Sequence, residues 1–234
     1  MLVDEIPGVS MEEAWPEYNA DTILREAGRQ LALIHSILVD GFGWIDRNSY
    51  DSLKGEKSSF PEYFDEYLAD DLTTLHYYDF TADERDHIRG YMEQARKLLD
   101  VPRAVLVHGD FDVSHIFHSS GRFTGFIDFG EIRGNNRLFD LAVFLINDST
   151  QDNSAYNYLI NGYCETARLT EEDLYAVELM ALFFLLRFAG KKAETKSRQH
   201  WYGLLKKQLE RICHFGNVIK SIRRPGITEA RILL

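Results

Sequence analysis

The sequence predicts an α+β fold that is mostly helical. Two observations indicate this class: segments with apolar residues at helical spacing fill most of the chain, and β patterns are confined to residues 105–132. Within that stretch, "RAVLVHG" is typical of a short buried strand. The following "HIFHSSGRFTGFID" is typical of a hairpin with its turn at "SSGR". We therefore expect a helical body that carries a small β-hairpin.

Helix signals in the first half of the chain come from capping residues and apolar stripes. "DTILREAGRQLALIHSI" has Asp21 as a candidate cap, and His35 in it is expected to be a packed structural histidine. "TADERDHIRGYMEQARKLL" begins with a capping box of Thr81 and Glu84. "FPEYFDEYLADDL" has the pattern of an amphipathic helix, in which acids such as Asp71 would face water.

The second half is expected to be helical almost throughout. "LTEEDLYAVELMALFFLLRFAG" begins with Thr170 and Asp173 and is apolar nearly all round, which predicts a buried central helix that ends at Gly190. "NSAYNYLINGYCETA" and "RQHWYGLLKKQLERICHF" have helical patterns as well. By contrast, "DGFGWIDRNSYDSLKGEKSSF" contains glycines and polar residues, and we expect it to be a surface excursion.

Composition and charge exclude several classes of protein. The formal net charge of -11 argues against a nucleic-acid partner, which needs a basic surface, and is compatible with a cationic small-molecule substrate. No secretory signal opens the chain, and Arg187 interrupts an apolar stretch that is shorter than the ~20 residues needed to span a bilayer. Cys164 and Cys213 have no metal or redox spacing. These features predict a cytoplasmic protein without a membrane partner.

Two carboxylates follow the apolar runs of the β stretch. Asp110 comes after the first run and Asp128 after the hairpin, so the hairpin is expected to bring them together on rigidly held loops. One acid near a hydroxyl can act as a base, whereas a second acid nearby repels the first unless a divalent cation neutralises the pair. The arrangement therefore predicts Mg²⁺, and Mg²⁺ suggests the phosphates of a nucleotide.

The spacing of these acids carries a resemblance. His108-Gly109-Asp110 is followed five positions later by His115, then by the hairpin and by Ile127-Asp128-Phe129-Gly130, and Asp140 precedes an apolar run. This pattern resembles the Brenner motif of the aminoglycoside phosphotransferase family, including its choline-kinase-like relatives. It is also similar to the division between catalytic loop and D-F-G turn in protein kinases. The resemblance extends from Leu2 to about Leu209 and implies a protein-kinase-like C-lobe whose hairpin carries the catalytic loop.

The resemblance also implies roles for individual residues, with ATP or GTP as the phosphoryl donor and Mg²⁺ as the cation. The expected site consists of Asp110 as the base for the substrate hydroxyl, His108 within the catalytic loop, Asp128 and His115 as metal ligands, the backbone of Asp4 to Ile6 as the nucleotide-docking segment, and Asp140 as a buttress. Glu131, directly after the turn, is a candidate substrate contact.

The sequence departs from the family pattern at two important points. His115 stands where Asn is usual, and Mg²⁺ prefers oxygen ligands to imidazole. The chain also begins at the strand that would link the two kinase lobes, with no Gly-rich loop or partnered Lys before it. We therefore expect a hinge-like strand over residues 1–9 and a single C-lobe domain over residues 10–234, with the N-terminal lobe missing or separate.

The leading hypothesis is a phosphotransferase, a small-molecule kinase that moves a nucleotide γ-phosphate to a hydroxyl of a hydroxylated amine or aminoglycoside-like molecule. One alternative is a weak or inactive pseudokinase-like lobe that acts as a binding module, because the nucleotide-covering lobe is absent. Another is a metal-dependent hydrolase that uses His108, Asp110 and Asp128. The hydrolase would need further His or Asp ligands, and the helical remainder offers none at convincing spacing.

Overall fold

The computed structural model describes residues 5–15, 19–49, 51–148 and 153–222, with side chains up to Phe215. The predicted α+β class, mostly α, is confirmed. The helices of the described residues are α1 (Ala20–Ile34), α2 (Phe60–Asp65), α3 (Leu68–Thr74), α4 (Ala82–Leu98), α5 (Phe139–Asn147), α6 (Ser154–Thr166), α7 (Glu171–Lys192) and α8 (Arg198–Ile222). The strands are β1 (Val9–Ser10), β2 (Leu38–Val39), β3 (Phe42–Ile45), β4 (Gly55–Lys57), β5 (Ala104–Val107), β6 (Ile116–Ser119), β7 (Arg122–Phe126) and β8 (Arg133–Asn135).

The chain divides into two compact units. The first consists of Met1–Phe60 and Val101–Leu169 and holds the strands, α1, α5 and α6. The second consists of Pro61–Asp100 and Thr170–Leu234 and holds α3, α4, α7, α8 and most of α2. The single domain expected over residues 10–234 stays a prediction.

Two antiparallel sheets form the β part of the first unit. One has the strand order β1-β6-β7, and the other has the order β2-β5-β8-β3-β4. The predicted hairpin is confirmed as β6 and β7. They are joined by Ser120 and Gly121 with φ of 51° and 72°, the positive values that a two-residue hairpin turn requires. Of the expected hinge-like strand, residues 1–4 lie outside the described residues, and Val9 pairs with His118.

The surface excursion expected after α1 is wrong, because β3 and β4 lie within it. A Cβ on Gly55 would lie 2.5 Å from the carbonyl carbon of Gly41, so only glycine permits this close pairing of backbones. Gly41 also has φ +101°, which side chains rarely adopt. The glycines of this segment, which predict a loop, instead allow the strands to approach closely.

Helices α1 and α6 pack against each other through glycines in the first unit. A Cβ on Gly28 would lie 2.1 Å from the Leu159 carbonyl oxygen, and one on Gly162 would lie 1.8 Å from the Arg25 carbonyl oxygen. The two backbones are therefore in direct contact. The start predicted for α1 is wrong: Asn19 occupies the N-cap position, and Asp21 lies within the first turn.

The second unit is built around α7, which packs against α3, α4 and α8. Its buried character and its capping box of Thr170 and Asp173 are confirmed, as is the Thr81–Glu84 box of α4. The helix end predicted at Gly190 is wrong, because α7 continues to Lys192. A Cβ on Gly190 would lie 2.3 Å from Asp71 Oδ1, so close packing explains this glycine.

The solvent-facing position expected for Asp71 is also wrong. Its segment splits into α2 and α3, and Asp71 is buried, with both carboxylate oxygens accepting hydrogen bonds from Arg187 Nη1 at 2.9 and 3.1 Å. The Arg187 guanidinium in turn lies 3.8 Å from the centre of the Tyr67 ring. A basic side chain on the mostly buried helix α7 thus has a buried acid as its partner.

Across the described ranges, no helix combines the length and the apolar character that a membrane crossing demands.

Candidate active site

The H-G-D loop and the D-F-G turn lie together at one end of the neighbouring strands β5 and β8. β5 and β8 are antiparallel neighbours with Val107 opposite Arg133. The loop that leaves β5 therefore begins beside the turn that enters β8. Because of this register, His108-Gly109-Asp110 and the D-F-G turn are neighbours although the whole hairpin separates them in sequence.

Gly109 is the point at which the two loops touch. Its φ is +90°, and a Cβ at this position would lie 1.9 Å from the Glu131 carbonyl oxygen. Any other side chain would push the loops apart or force the backbone out of this conformation. The glycine of the H-G-D sequence is therefore explained by close packing against the residue that follows D-F-G.

Asp140 lies fully buried beneath the H-G-D loop. Its carboxylate accepts hydrogen bonds from the backbone amides of His108 (2.7 Å) and Gly109 (2.9 Å) and from His35 Nε2 (2.9 Å), and His35 Nδ1 hydrogen-bonds to the Tyr163 hydroxyl (3.0 Å). Burial by itself raises the pKa of Asp140, but the hydrogen bonds from His35 and the two amides outweigh it and hold the pKa below its ordinary value. These contacts favour the buttressing role and a structural role for His35.

His108 is completely buried, and its Nε2–H donates to the Ile127 carbonyl oxygen at 2.8 Å. Its ring lies 4.8 Å from that of Phe129 and 5.2 Å from that of His115, measured between centroids. His108 therefore ties the H-G-D loop to the residue before Asp128. This position favours shaping the site over touching the substrate.

His115 and Asp128 meet at the base of the hairpin. In the hairpin, Ile116 pairs with Phe126, and directly after that pair the Ile127 amide donates to the His115 carbonyl at 3.2 Å. This hydrogen bond brings the next residue, Asp128, beside the His115 imidazole. His115 Nε2 lies 3.8 Å from Asp128 Oδ2. The His115 side chain is 12% exposed and that of Asp128 is 67% exposed. Asp128 has the left-handed conformation (φ 60°, ψ 55°), which is strained for a non-glycine residue and common at ligand sites.

The other predicted site residues are placed as follows. Asp110 is exposed at the end of the H-G-D loop. Glu131 is half-exposed, and its carboxylate accepts a hydrogen bond from Arg133 Nη2 at 3.0 Å. Ile6 packs close to Gly125 of β7, whereas Asp4 lies outside the described residues.

A cleft of about 570 Å³ opens next to the H-G-D loop in the first unit. Its lining combines carboxylates with an aromatic ring, since Trp15 is 44% exposed and Asp112 and Val113 come directly from the loop. The residues that line it are Met11, Glu12, Trp15, Asp112, Val113, Asn147, Asp148 and Ala155. An acidic cleft with an exposed indole is suited to a protonated amine.

Sequence reasoning did not single out Asp112 or Arg133. Asp112 Oδ1 lies 3.5 Å from His115 Nδ1, and the spacing of three residues between them was the available signal. Arg133 pairs with Glu131 and lies 4.2 Å from the centre of the Trp44 ring. Its role depends on β3, whose strand the sequence did not predict.

The residues fit a divalent cation that also takes ligands from phosphate. Within the described part of the chain, no three His, Cys, Asp or Glu side chains form a group that could hold a metal ion by themselves. Asp128 and His115 provide two ligand positions, and the Nδ1 atom of His115 is buried without a hydrogen-bond partner. Mg²⁺ in kinases is typically held by one or two side chains, with water and nucleotide phosphates supplying the other ligands.

The sequence matches the family described as "Phosphotransferase enzyme family" over residues 1–175, about three quarters of the chain. The chain belongs to this phosphotransferase family. The expected resemblance is thereby confirmed at the level of the family, and the prediction of an isolated C-terminal lobe stays a prediction.

Individual proteins that are similar to this chain include a kinase and solved phosphotransferases. The homoserine kinase of Rhizobium meliloti (strain 1021) is 31% identical over 94 residues, a match that spans 38% of this chain and only 28% of that protein. A thermostable mutant of aminoglycoside phosphotransferase APH(4)-Ia, solved with AMP-PNP and hygromycin B, has a TM-score of 0.63 at 14% identity. That alignment covers 91% of this chain and 70% of the other.

The macrolide 2'-phosphotransferase MphH from Brachybacterium faecium has a TM-score of 0.55 at 16% identity, with 87% of this chain and 68% of that chain covered. At such identities the likeness is one of fold. The predicted kinase-like fold is confirmed by it.

Proposed function

We propose that this phosphotransferase moves the γ-phosphate of ATP or GTP to a hydroxyl of a small cationic molecule. The observation that carries the proposal is the contact between the H-G-D loop and the D-F-G turn, which Gly109 and His108 make, while Asp140 holds the H-G-D loop in place. Phosphoryl transfer depends on positioning and charge neutralisation more than on covalent chemistry with the protein. A rigid pair of loops that bears separate acids suits this requirement.

Asp110 is the residue placed to act on the acceptor. Its exposed carboxylate accepts the proton of the substrate hydroxyl as the hydroxyl oxygen bonds to the γ-phosphorus. The bond from that phosphorus to the β–γ bridging oxygen breaks, and the nucleoside diphosphate leaves. The segment around Ile6 is where we place the base of the nucleotide.

Asp128 and His115 are the residues that would hold the cation. When bound there, a divalent ion neutralises phosphate charge and keeps the γ-phosphate aligned with the acceptor. Asp128 is largely exposed and projects from a strained turn, so its carboxylate is available to a ligand without first breaking a buried contact.

The cleft beside the catalytic loop is the proposed acceptor site. Glu12 and Asp112 supply negative charge, Trp15 supplies an aromatic face, and Asp112 lies two residues after the proposed base. The names of the relatives provide test compounds: homoserine for the homoserine kinase, hygromycin B for APH(4)-Ia and a macrolide for MphH. Each candidate joins a hydroxyl to an amine, which matches the chemistry of the cleft.

The proposal is tested by measuring Mg²⁺-dependent consumption of ATP and GTP by the purified chain with a panel of such hydroxylated amines. We expect Asp110→Asn to lower kcat by about 10²- to 10⁴-fold, because the loss of a general base costs that much. Asp86→Asn is the matched control, since Asp86 is an exposed helical residue in a surface ion pair and its loss should leave kcat unchanged.

The outcome separates the proposal from its alternatives. A kcat for Asp110→Asn equal to that of the wild type would remove Asp110 from its role as base. If calorimetry shows that the wild-type chain binds no nucleotide in the presence of Mg²⁺, the chain acts as a binding module instead.

A further inference from the structure

His115 lies between two carboxylates, one on each side of its ring. Nε2 is 3.8 Å from Asp128 Oδ2, and Nδ1 is 3.5 Å from Asp112 Oδ1. Nδ1 is buried and has no hydrogen-bond partner, because 3.5 Å is too long for a good bond. The Asp128 carboxylate is largely exposed and the Asp112 carboxylate is partly buried, so the two sides of the imidazole differ in their exposure to solvent.

Asp112 is fixed in place behind the imidazole. Its Oδ1 accepts hydrogen bonds from the backbone amide of Ser114, at 2.8 Å, and from the Ser114 hydroxyl. The His115 amide donates to the Asp112 carbonyl at 3.2 Å, so both ends of the short turn are tied together. A small rotation of the ring would bring Nδ1–H within hydrogen-bonding distance of Asp112. Metal-binding histidines usually donate their second N–H to such a carboxylate, which sets the tautomer and the ring orientation.

We propose that Asp112, His115 and Asp128 form a carboxylate–histidine–cation–carboxylate chain, and that its nitrogen ligand makes the site prefer a first-row transition cation such as Mn²⁺ over Mg²⁺. His115 binds the cation through Nε2, and Asp112 is a positioning residue that acts through His115. The inference rests on the proposed function in one respect: the cation is the one that accompanies the nucleotide phosphates.

The chemistry of the ligands decides the preference. Mg²⁺ selects oxygen ligands, whereas imidazole suits transition metals, whose affinity for nitrogen rises along the first row. Two adjacent ligands of one octahedral ion, each at about 2.1 Å, are separated by roughly 3 Å. His115 Nε2 and Asp128 Oδ2 are 3.8 Å apart, and the largely exposed Asp128 side chain would have to move by less than about 1 Å to reach that separation. Asparagine at the same position would offer an oxygen, so His115 changes the kind of cation that binds without removing the site.

The test uses the purified chain with Mn²⁺ and inorganic phosphate, which supplies the ligands that the two side chains leave open, without nucleotide or acceptor. Titration followed by the electron paramagnetic resonance of free Mn²⁺ gives its affinity, and competition with Mg²⁺ gives the preference. Spin-echo modulation from a directly bound ¹⁴N nucleus reports whether imidazole is a ligand. We expect this nitrogen signal in the wild type, its loss in His115→Asn, and a fall in the Mn²⁺-to-Mg²⁺ affinity ratio in that variant.

Asp112→Asn tests the positioning role. We expect it to weaken Mn²⁺ binding by about 10- to 100-fold while the nitrogen signal remains at saturating Mn²⁺. A carboxylate that hydrogen-bonds to a metal-binding histidine tunes the affinity for the metal without contacting the metal itself. His87→Asn is the control, since His87 is exposed on α4 in the second unit and its loss should change neither signal.

Three results would overturn the inference. They are a wild-type chain that binds no Mn²⁺, a ¹⁴N signal that persists in His115→Asn, and an Mn²⁺-to-Mg²⁺ ratio that is the same in both proteins. A failure of the proposed function is distinguishable, because it would abolish nucleotide turnover and leave the nitrogen signal intact.

Discussion

Asp71 shows how one residue can reverse its expected role through a distant partner. Asp71 as a whole residue is only 4% exposed, and its carboxylate pairs with Arg187, which lies 116 positions later in the chain. The amphipathic pattern around Asp71 gave no sign of this, because an acid on a polar helix face usually meets water. The available signal was Arg187 itself, a base within the apolar stretch of α7, where it needs an acidic partner.

Burial raises the pKa of Asp71 to about 6, although the Arg187 guanidinium lowers it in part. Because the ordinary value is 3.8, the folded protein holds this proton more tightly than the unfolded chain does. The resulting stabilisation is fully present below pH about 4 and is lost as the pH rises through about 6. We therefore expect wild type to lose at most about 3 kcal/mol of unfolding free energy over this range relative to Asp71→Asn.

Urea unfolding of both proteins at a series of pH values measures this difference. Asp86→Asn is the matched control, since Asp86 is an exposed residue of α4 in the same unit and its substitution should leave the pH profile parallel to that of wild type. Parallel profiles for wild type and Asp71→Asn would contradict the prediction.

The site residues were the part of the molecule most open to sequence reasoning. Asp110, His115 and Asp128 stand at fixed offsets from two short strands, and those offsets are visible without a structure. Gly109 and Asp112 were not assigned, because their roles depend on a backbone oxygen and a ring nitrogen that only the folded loops bring near.

At the scale of elements, the helices could be predicted well because their signals are local. Both capping boxes use residues three positions apart, and the stripe of α4 is complete within its own segment. The strands β3 and β4 could not be predicted in this way. They are short and contain glycine, and β3 depends on pairing with β8, about 90 residues later in the chain.

The contact between α1 and α6 gives a prediction for one element pair. Gly162→Ala would place a Cβ 1.8 Å from the Arg25 carbonyl oxygen, so the helices must separate and bury less apolar surface. We expect a loss of about 1 to 3 kcal/mol of unfolding free energy, measured by chemical denaturation.

Gly90→Ala is the control for this substitution. Gly90 lies in the helix α4, and a Cβ there would meet nothing within 4 Å. Alanine favours helix by about 0.8 to 1 kcal/mol over glycine, so this variant should be stabilised. If both alanine variants changed stability in the same direction, the packing explanation for Gly162 would fail.

At the scale of the whole molecule, the formal charge of -11 creates a field that acts differently on the two proposed substrates. A cationic acceptor is attracted and a nucleotide polyanion is repelled, and dissolved salt weakens both effects. The prediction of a cationic acceptor from composition stays a prediction, and composition carries no information about the shape of the acceptor.

We expect the KM of a polycationic acceptor to rise several-fold between low and high ionic strength. The KM of a neutral hydroxylated acceptor should stay constant, and that of the nucleotide should fall or stay constant. Steady-state kinetics in a series of KCl concentrations provides the measurement. An acceptor KM that is independent of salt for the polycation would mean that the acidic surface does not attract the substrate.

The hydrogen bonds of Asp140 also bear on the order in which this chain folds. The carboxylate that shapes the H-G-D loop is 31 residues from Gly109 and 105 residues from His35. Contacts between such distant parts form only after the entropy of closing long loops has been overcome. The proposed catalytic loop therefore acquires its geometry late, once α1 and α5 have docked. Nascent or partly folded forms of the chain would then lack a formed phosphoryl-transfer site.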